Sequence, residues 1–152
     1  MFHIALIHPD IPQNTGNISR LCVGLDIELH LVYPMRFVLD DKKIKRAGLD
    51  YWKDLKLVTH DSLAAFLLCH QQSRMFFFTT KAKQLYTNVT YQKGDFLVFG
   101  SESRGLPTDL LHQNWEHAVT IPMPGKVRSL NVSNAAAVAA YEVMRQFSLS
   151  PQ

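Results

Sequence analysis

Two short runs constrain this chain more than any other feature. Met75-Phe76-Phe77-Phe78 and Phe96-Leu97-Val98-Phe99 are apolar at every position. Successive side chains of a strand point to opposite faces, so a strand without polar alternation is covered on both sides. That is the pattern of inner strands in a mainly parallel sheet with helices on both faces. The strand runs predicted along the chain are His3–Ile7, Glu28–Val32, Leu55–His60, Met75–Thr79, Phe96–Gly100 and Ala118–Ile121. Predicted helices at Gly16–Gly24, Asp40–Ala47, Asp61–Gln71, Thr108–Leu111 and Asn131–Phe147 alternate with them. Such alternation defines an α/β class.

The last helix has the clearest periodicity. Val132, Ala135, Ala136, Ala139, Ala140, Val143 and Phe147 recur at three- and four-residue spacing, and Ser129, Asn131 or Ser133 is placed to cap its start. The polar stretch from Lys81 to Gly94 reads as a surface excursion. No internal repeat, low-complexity stretch or long linker divides the chain, so residues 1–152 are expected to form a single domain.

Composition bounds the partners. The chain is 47% apolar and 19% charged, a soluble globular balance. Its net charge of +3, with seven histidines besides, permits a polyanionic partner without requiring one. Cys22 and Cys69 sit in apolar surroundings and read as two small buried hydrophobes in a reducing compartment. The N-terminal run lacks the parts of a signal peptide and no apolar run reaches membrane-spanning length, so a cytoplasmic protein without membrane association is expected.

Ligands of open α/β sheets bind at the carboxyl ends of the strands, and three segments there have unusual composition. The first runs Pro9-Asp10-Ile11-Pro12-Gln13-Asn14-Thr15-Gly16-Asn17-Ile18-Ser19-Arg20. Asn14 or Thr15 suits a helix cap, and Arg20, a turn further on, offers paired donors for phosphate or carboxylate. The second, Gly100-Ser101-Glu102-Ser103-Arg104-Gly105-Leu106-Pro107, sets a carboxylate beside an arginine between two glycines. The third, Ile121-Pro122-Met123-Pro124-Gly125-Lys126-Val127-Arg128-Ser129-Leu130-Asn131, ends in hydroxyls and amides at a helix N-terminus, where electron-rich groups are favoured.

The second segment also brings to mind the hydrolase nucleophile elbow, G-x-S-x-G. Around Ser103 the first glycine is missing, and only His112 and His117 follow as a base. There is no dinucleotide fingerprint, no Walker A loop and no His/Cys/Asp cluster with metal-ligand spacing, so no metal is expected.

In their order and spacing the three segments resemble the three motifs of the SpoU branch of the SPOUT methyltransferases. Asn14 and Arg20 match motif one, Phe99–Pro107 motif two, and Ile121–Asn134 motif three. Arg46-Ala47-Gly48-Leu49-Asp50-Tyr51-Trp52, together with the lack of a separate RNA-binding domain, is similar to a small subfamily acting on the wobble nucleotide of tRNA-Leu species. Ser101 and the segment Pro124-Gly125-Lys126-Val127 depart from the pattern of many bacterial members.

The resemblance implies a single-domain α/β-knot (SPOUT) fold with a C-terminal deep trefoil knot, and a homodimer. It implies 2′-O-methylation of nucleotide 34, a cytidine or modified uridine, in tRNA-Leu. The methyl donor would be S-adenosyl-L-methionine and the product S-adenosyl-L-homocysteine. Alternatives are another tRNA or rRNA position, or an RNA-binding module without catalysis. Carried over by motif position, Arg20, Asn14, Glu102 and Asn131 would be catalytic. Phe78, Thr79, Gly100, Ile121, Met123, Ser129 and Leu130 would contact the cofactor, many through backbone. Lys42, Lys43, Lys45 and Arg46, with Lys126 and Arg128, are the candidate RNA-binding cations.

Overall fold

A computed structural model of the chain describes residues 1–39, 42, 46 and 51–149. Its centre is a six-stranded sheet in which every paired neighbour is parallel. The strands are β1 (His3–Ile7), β2 (Glu28–Val32), β3 (Leu57–His60), β4 (Met75–Phe78), β5 (Phe96–Phe99) and β6 (Ala118–Val119), in spatial order β3-β2-β1-β5-β4-β6. Their connections carry α1 (Pro12–Leu25), α2 (Leu63–Cys69) and α3 (Thr108–Gln113), and α4 (Val132–Leu149) follows β6. The predicted helix over residues 40–47 lies largely outside the described residues.

The uniformly apolar strands are covered twice, as their composition requires. Ile4, Leu6, Phe76, Phe78, Leu97 and Phe99 face a core built with Ile18 and Cys22 of α1 and Ala136, Ala139, Ala140 and Val143 of α4. Ala5, Ile7, Phe77, Phe96 and Val98 face the opposite core, closed by Phe66 of α2 and Leu110 and Leu111 of α3. Ala136, Ala139 and Ala140 of α4 are fully buried, so their small side chains let this helix lie close to its neighbours.

Most element boundaries shift from expectation by a residue or more, and two shifts have a clear physical reason. Helix α1 begins at Pro12, four residues before the predicted start, and Ile11 rather than Asn14 or Thr15 holds the cap position. Proline suits the first helical position because its fixed φ is helical and no N–H is needed there. Strand β6 ends at Val119, short of the predicted Ile121; Thr120 instead bonds the 80s segment, donating to Gln84 O at 2.8 Å and accepting from Tyr86 N at 3.0 Å. That segment runs over the surface with most of its side chains exposed, but it is pinned at a few points. Ala82, Val89 and Tyr91 are buried, and Gln146 of α4 pins it, accepting from Tyr91 N and donating to Val89 O, both at 2.9 Å. Of the two cysteines only Cys22 is buried, with its thiol pKa pushed up to about 12 by desolvation; Cys69 ends α2 exposed, because it falls on that short helix's solvent side.

On the α2 face, His3, His30, His60 and His70 gather around Phe66 and Phe96. Burial lowers the pKa of each, that of His30 to about 4. A histidine pKa that is lower in the folded chain than in the unfolded one contributes stability above the unfolded value of about 6.5. That contribution is lost as pH falls toward the folded value. The thermal midpoint should therefore decline as pH drops from about 6.5 toward 4. A midpoint that stays flat between about pH 7 and pH 5 contradicts this.

Candidate functional site

At the carboxyl ends of β4, β5 and β6 a cavity of about 660 Å³ opens, a size suited to a small-molecule ligand. Its walls come from Phe78–Lys81 after β4, Phe99–Leu106 after β5, Thr120–Met123 and Arg128–Val132. All three unusual segments reach it, although about eighty residues of chain separate the first from the second.

One chain of hydrogen bonds ties those segments together. Glu102 accepts from the backbone N–H of Asp10 at 2.7 Å and of Ile11 at 3.3 Å, and from Asn14 Nδ2 at 3.2 Å. Asn14 Oδ1 in turn accepts from Asn131 Nδ2 at 3.0 Å. Asn131 Oδ1 caps α4 by accepting from Ser133 N at 2.9 Å and Asn134 N at 3.4 Å. A carboxylate at the start of α1 also meets the positive end of the helix dipole. The backbone N–H groups just before α1 thus find their acceptor in a distant loop.

The loop carrying Glu102 is folded tightly on itself. Gly105 takes φ +68°, donates its N–H to Ser101 O at 2.8 Å and lies across from it, while Arg104 N donates to Ser101 Oγ at 3.1 Å. A Cβ on Gly100 would lie 2.1 Å from Gly105 C and 2.2 Å from Leu106 N, so only glycine fits. The Asp10 carboxylate accepts from both the N–H and the hydroxyl of Ser103. That hydroxyl bond holds the Asp10 pKa below the usual carboxylate range. Arg36 adds an ion pair to Asp10 at 3.5 Å.

Phe78, Thr79, Gly100, Ile121, Met123, Ser129 and Leu130, the expected cofactor contacts, all line the cavity. So do Asn14, Glu102 and Asn131. Arg20 is not brought to them. It is exposed on α1, with its guanidinium carbon 5.0 Å from the centre of the Tyr51 ring, and it does not line the cavity. Asn14 therefore spends its amide on Glu102 and Asn131 rather than on Arg20, and the Glu102 oxygens are taken by amides rather than arginines. Of the candidate RNA-binding cations, Lys42, Arg46, Lys126 and Arg128 are exposed, and Arg128 also lines the cavity. Lys43 and Lys45 lie outside the described residues.

Sequence reasoning did not single out Asp10 or Lys81. Asp10 stands inside a singled-out loop and Lys81 closely follows the carboxyl end of β4, and those positions are their only signal. Lys81, Arg104 and Arg128 against Glu102 give the lining a surplus of positive charge. No histidine is among the lining residues, and Ser103 donates to a carboxylate instead of an imidazole. A serine nucleophile needs an adjacent base, so the hydrolase reading has no support here.

A parallel sheet with a cavity at the carboxyl ends of its strands is the arrangement of a ligand-binding open α/β fold. The SpoU methyltransferase AviRb from Streptomyces viridochromogenes superposes with a TM-score of 0.86 at 22% identity, over 97% of this chain and 60% of that one, a likeness of fold. The profile of the SpoU rRNA Methylase family matches residues 1–141, and the chain belongs to that family. It is 49% identical over 149 residues to a putative tRNA (cytidine(34)-2′-O)-methyltransferase of Listeria innocua, covering 96% of this chain and 88% of the relative. It is 45% identical to the tRNA (cytidine(34)-2′-O)-methyltransferase of Escherichia coli, covering 96% and 94%. A solved structure described as giving structural insights into the 2-OH methylation of C/U34 on tRNA matches with a TM-score of 0.94 at 46% identity, over 97% of each chain.

The geometry makes a direct demand on Gly100. Gly100→Ala must push backbone against backbone and should destabilise the fold by about 1–3 kcal/mol, the usual cost of overpacking. Thermal unfolding of the variant measures this; an unchanged midpoint contradicts the close approach.

Proposed function

We propose that this chain transfers a methyl group from S-adenosyl-L-methionine to the ribose 2′-oxygen of nucleotide 34, a cytidine or modified uridine, in tRNA-Leu. The carrying observation is the convergence of all seven expected cofactor contacts on one cavity, beside the Glu102–Asn14–Asn131 chain. The names of the full-length relatives point to the same substrate. No helix among the described residues is long and apolar enough to cross a membrane, which accords with work in the cytoplasm.

The cavity fits such a cofactor chemically. Phe78, Ile121 and Leu130 offer apolar walls for a purine, and Thr79, Ser129 and neighbouring backbone offer polar contacts. When bound, the cofactor supplies an electrophilic methyl on a positively charged sulfur. The protein's share is positioning and charge. Asn131 and Ser129 sit at the start of α4, where the helix end favours electron-rich groups. Asn14 and Glu102 fix Asn131 in place.

Arg20 serves the developing oxyanion. It has no carboxylate partner among the described residues and is exposed to an incoming RNA. Arginine stays protonated in proteins, so it acts by binding the adjacent phosphate and stabilising the 2′-oxygen, not by taking its proton.

In this reading the chain acts as a homodimer. Val138 and Tyr141 on α4 are exposed apolar residues that a second copy would cover. In this reading the C-terminal half is threaded as a deep trefoil knot. What favours the knot is β6 lying beside β4 and the segment after it returning to α1 through Asn131.

Arg20→Ala should lower methyl transfer about a hundred- to thousandfold and leave cofactor binding within about threefold. Equal loss of both would make Arg20 structural. If Lys42, Arg46, Lys126 and Arg128 meet phosphate, the logarithm of tRNA affinity should fall linearly with the logarithm of salt. Lys42→Ala with Lys126→Ala should flatten that slope; a salt-independent affinity refutes the contact.

A further inference from the structure

We propose that His30, His60 and His70 form a binding site for a divalent transition metal ion such as Zn²⁺. Sequence spacing does not reveal it, because the three come from separate elements: His30 from the middle of β2, His60 from the end of β3, and His70 from the residue after α2. The fold brings one ligand nitrogen of each to within 4.8 Å of the others. His30 Nδ1 and His60 Nε2 are 3.0 Å apart. Imidazole nitrogens sharing a tetrahedral zinc ion, each 2.0–2.1 Å from it, lie about 3.3–3.4 Å apart, so the His30–His60 pair needs to open by only a few tenths of an ångström.

The surroundings prepare His30 as a ligand. Its Nε2 lies 3.2 Å from Glu28 Oε2, which accepts the proton there and leaves the Nδ1 lone pair facing His60. A carboxylate behind a histidine, fixing its tautomer and raising its basicity, is the usual support of a metal-bound imidazole. The same Glu28 oxygen lies 3.1 Å from His3 Nδ1.

His70 closes the third side, its ring centroid 5.1 Å from that of His30 and 5.4 Å from that of His60. Phe66 and Phe96 wall the cluster with apolar surface. His30 and His60 are buried while His70 is half-buried, which leaves an opening for the ion and for water as a fourth ligand. Three imidazoles suit zinc, nickel or copper, not the oxygen-seeking magnesium or calcium.

None of the three histidines lines the cavity. The ion would tie β2, β3 and the end of α2 together, on the side of the sheet away from α1 and α4. Its role is in the fold and not in the methyl transfer.

The test uses untagged full-length protein stripped with a chelator and titrated with Zn²⁺ by calorimetry. A parallel titration with Co²⁺ is followed by visible absorption. The expected result is one ion per chain, visible bands of tetrahedral Co²⁺, and a thermal midpoint raised by Zn²⁺. Glu28→Gln should weaken binding about 10–100-fold, and His70→Ala should abolish the Co²⁺ bands. Circular dichroism checks the fold of each variant, and Glu28→Gln decides alone if His70→Ala does not fold. Absence of stoichiometric binding, or binding that the folded variants leave unchanged, overturns the proposal.

Discussion

The Glu102 carboxylate is the contact on which the site's geometry depends. It satisfies the backbone at the start of α1 and holds Asn14, and Asn14 holds Asn131 at the start of α4. Two helix N-termini and the loop after β5 are thereby fixed to one another across the carboxyl edge of the sheet. A buried or half-buried donor left without its acceptor costs about 1–3 kcal/mol. The arrangement is therefore held by more than its apolar packing. It also explains why Gly100 and Gly105 are needed: the loop must fold back sharply to bring Glu102 to α1.

The sheet was legible in the sequence because its strands carry the clearest physical signal. Runs such as Phe96–Phe99 have no polar face, and all six predicted strands appear, with β1 and β2 at their expected bounds. The start of α1 was not legible. Local propensity favoured Asn14 or Thr15 as its cap, whereas the true acceptor lies some ninety residues away. The segment from Lys81 to Gly94 lies largely on the surface, as its polarity suggests, but its anchoring by Gln146 of α4 is not legible locally because that partner lies more than fifty residues away. Elements set by their own side chains can be read locally; those set by a distant donor or acceptor cannot.

The site divides along a similar line. Unusual loop composition at strand ends identified where a ligand binds, and the order of the loops identified the family. Composition did not indicate how Asn14, Glu102 and Asn131 use their hydrogen bonds, nor that Arg20 stands apart from them on an exposed face. The separation of tasks has a physical sense. The hydrogen-bonded amide chain gives rigidity, and the exposed guanidinium keeps its charge available for a phosphate-bearing partner. The four histidines on the α2 face form an assembly that only the register of β1, β2 and β3 could bring together.

The central claim is methyl transfer to a ribose of tRNA. Its most direct test is incubation of the protein with S-adenosyl-L-methionine labelled in the methyl group and total tRNA from a strain lacking this modification, followed by mapping of the label. The account predicts incorporation at the 2′-oxygen of nucleotide 34 in tRNA-Leu. Label on a base, or no incorporation into any tRNA, would contradict it.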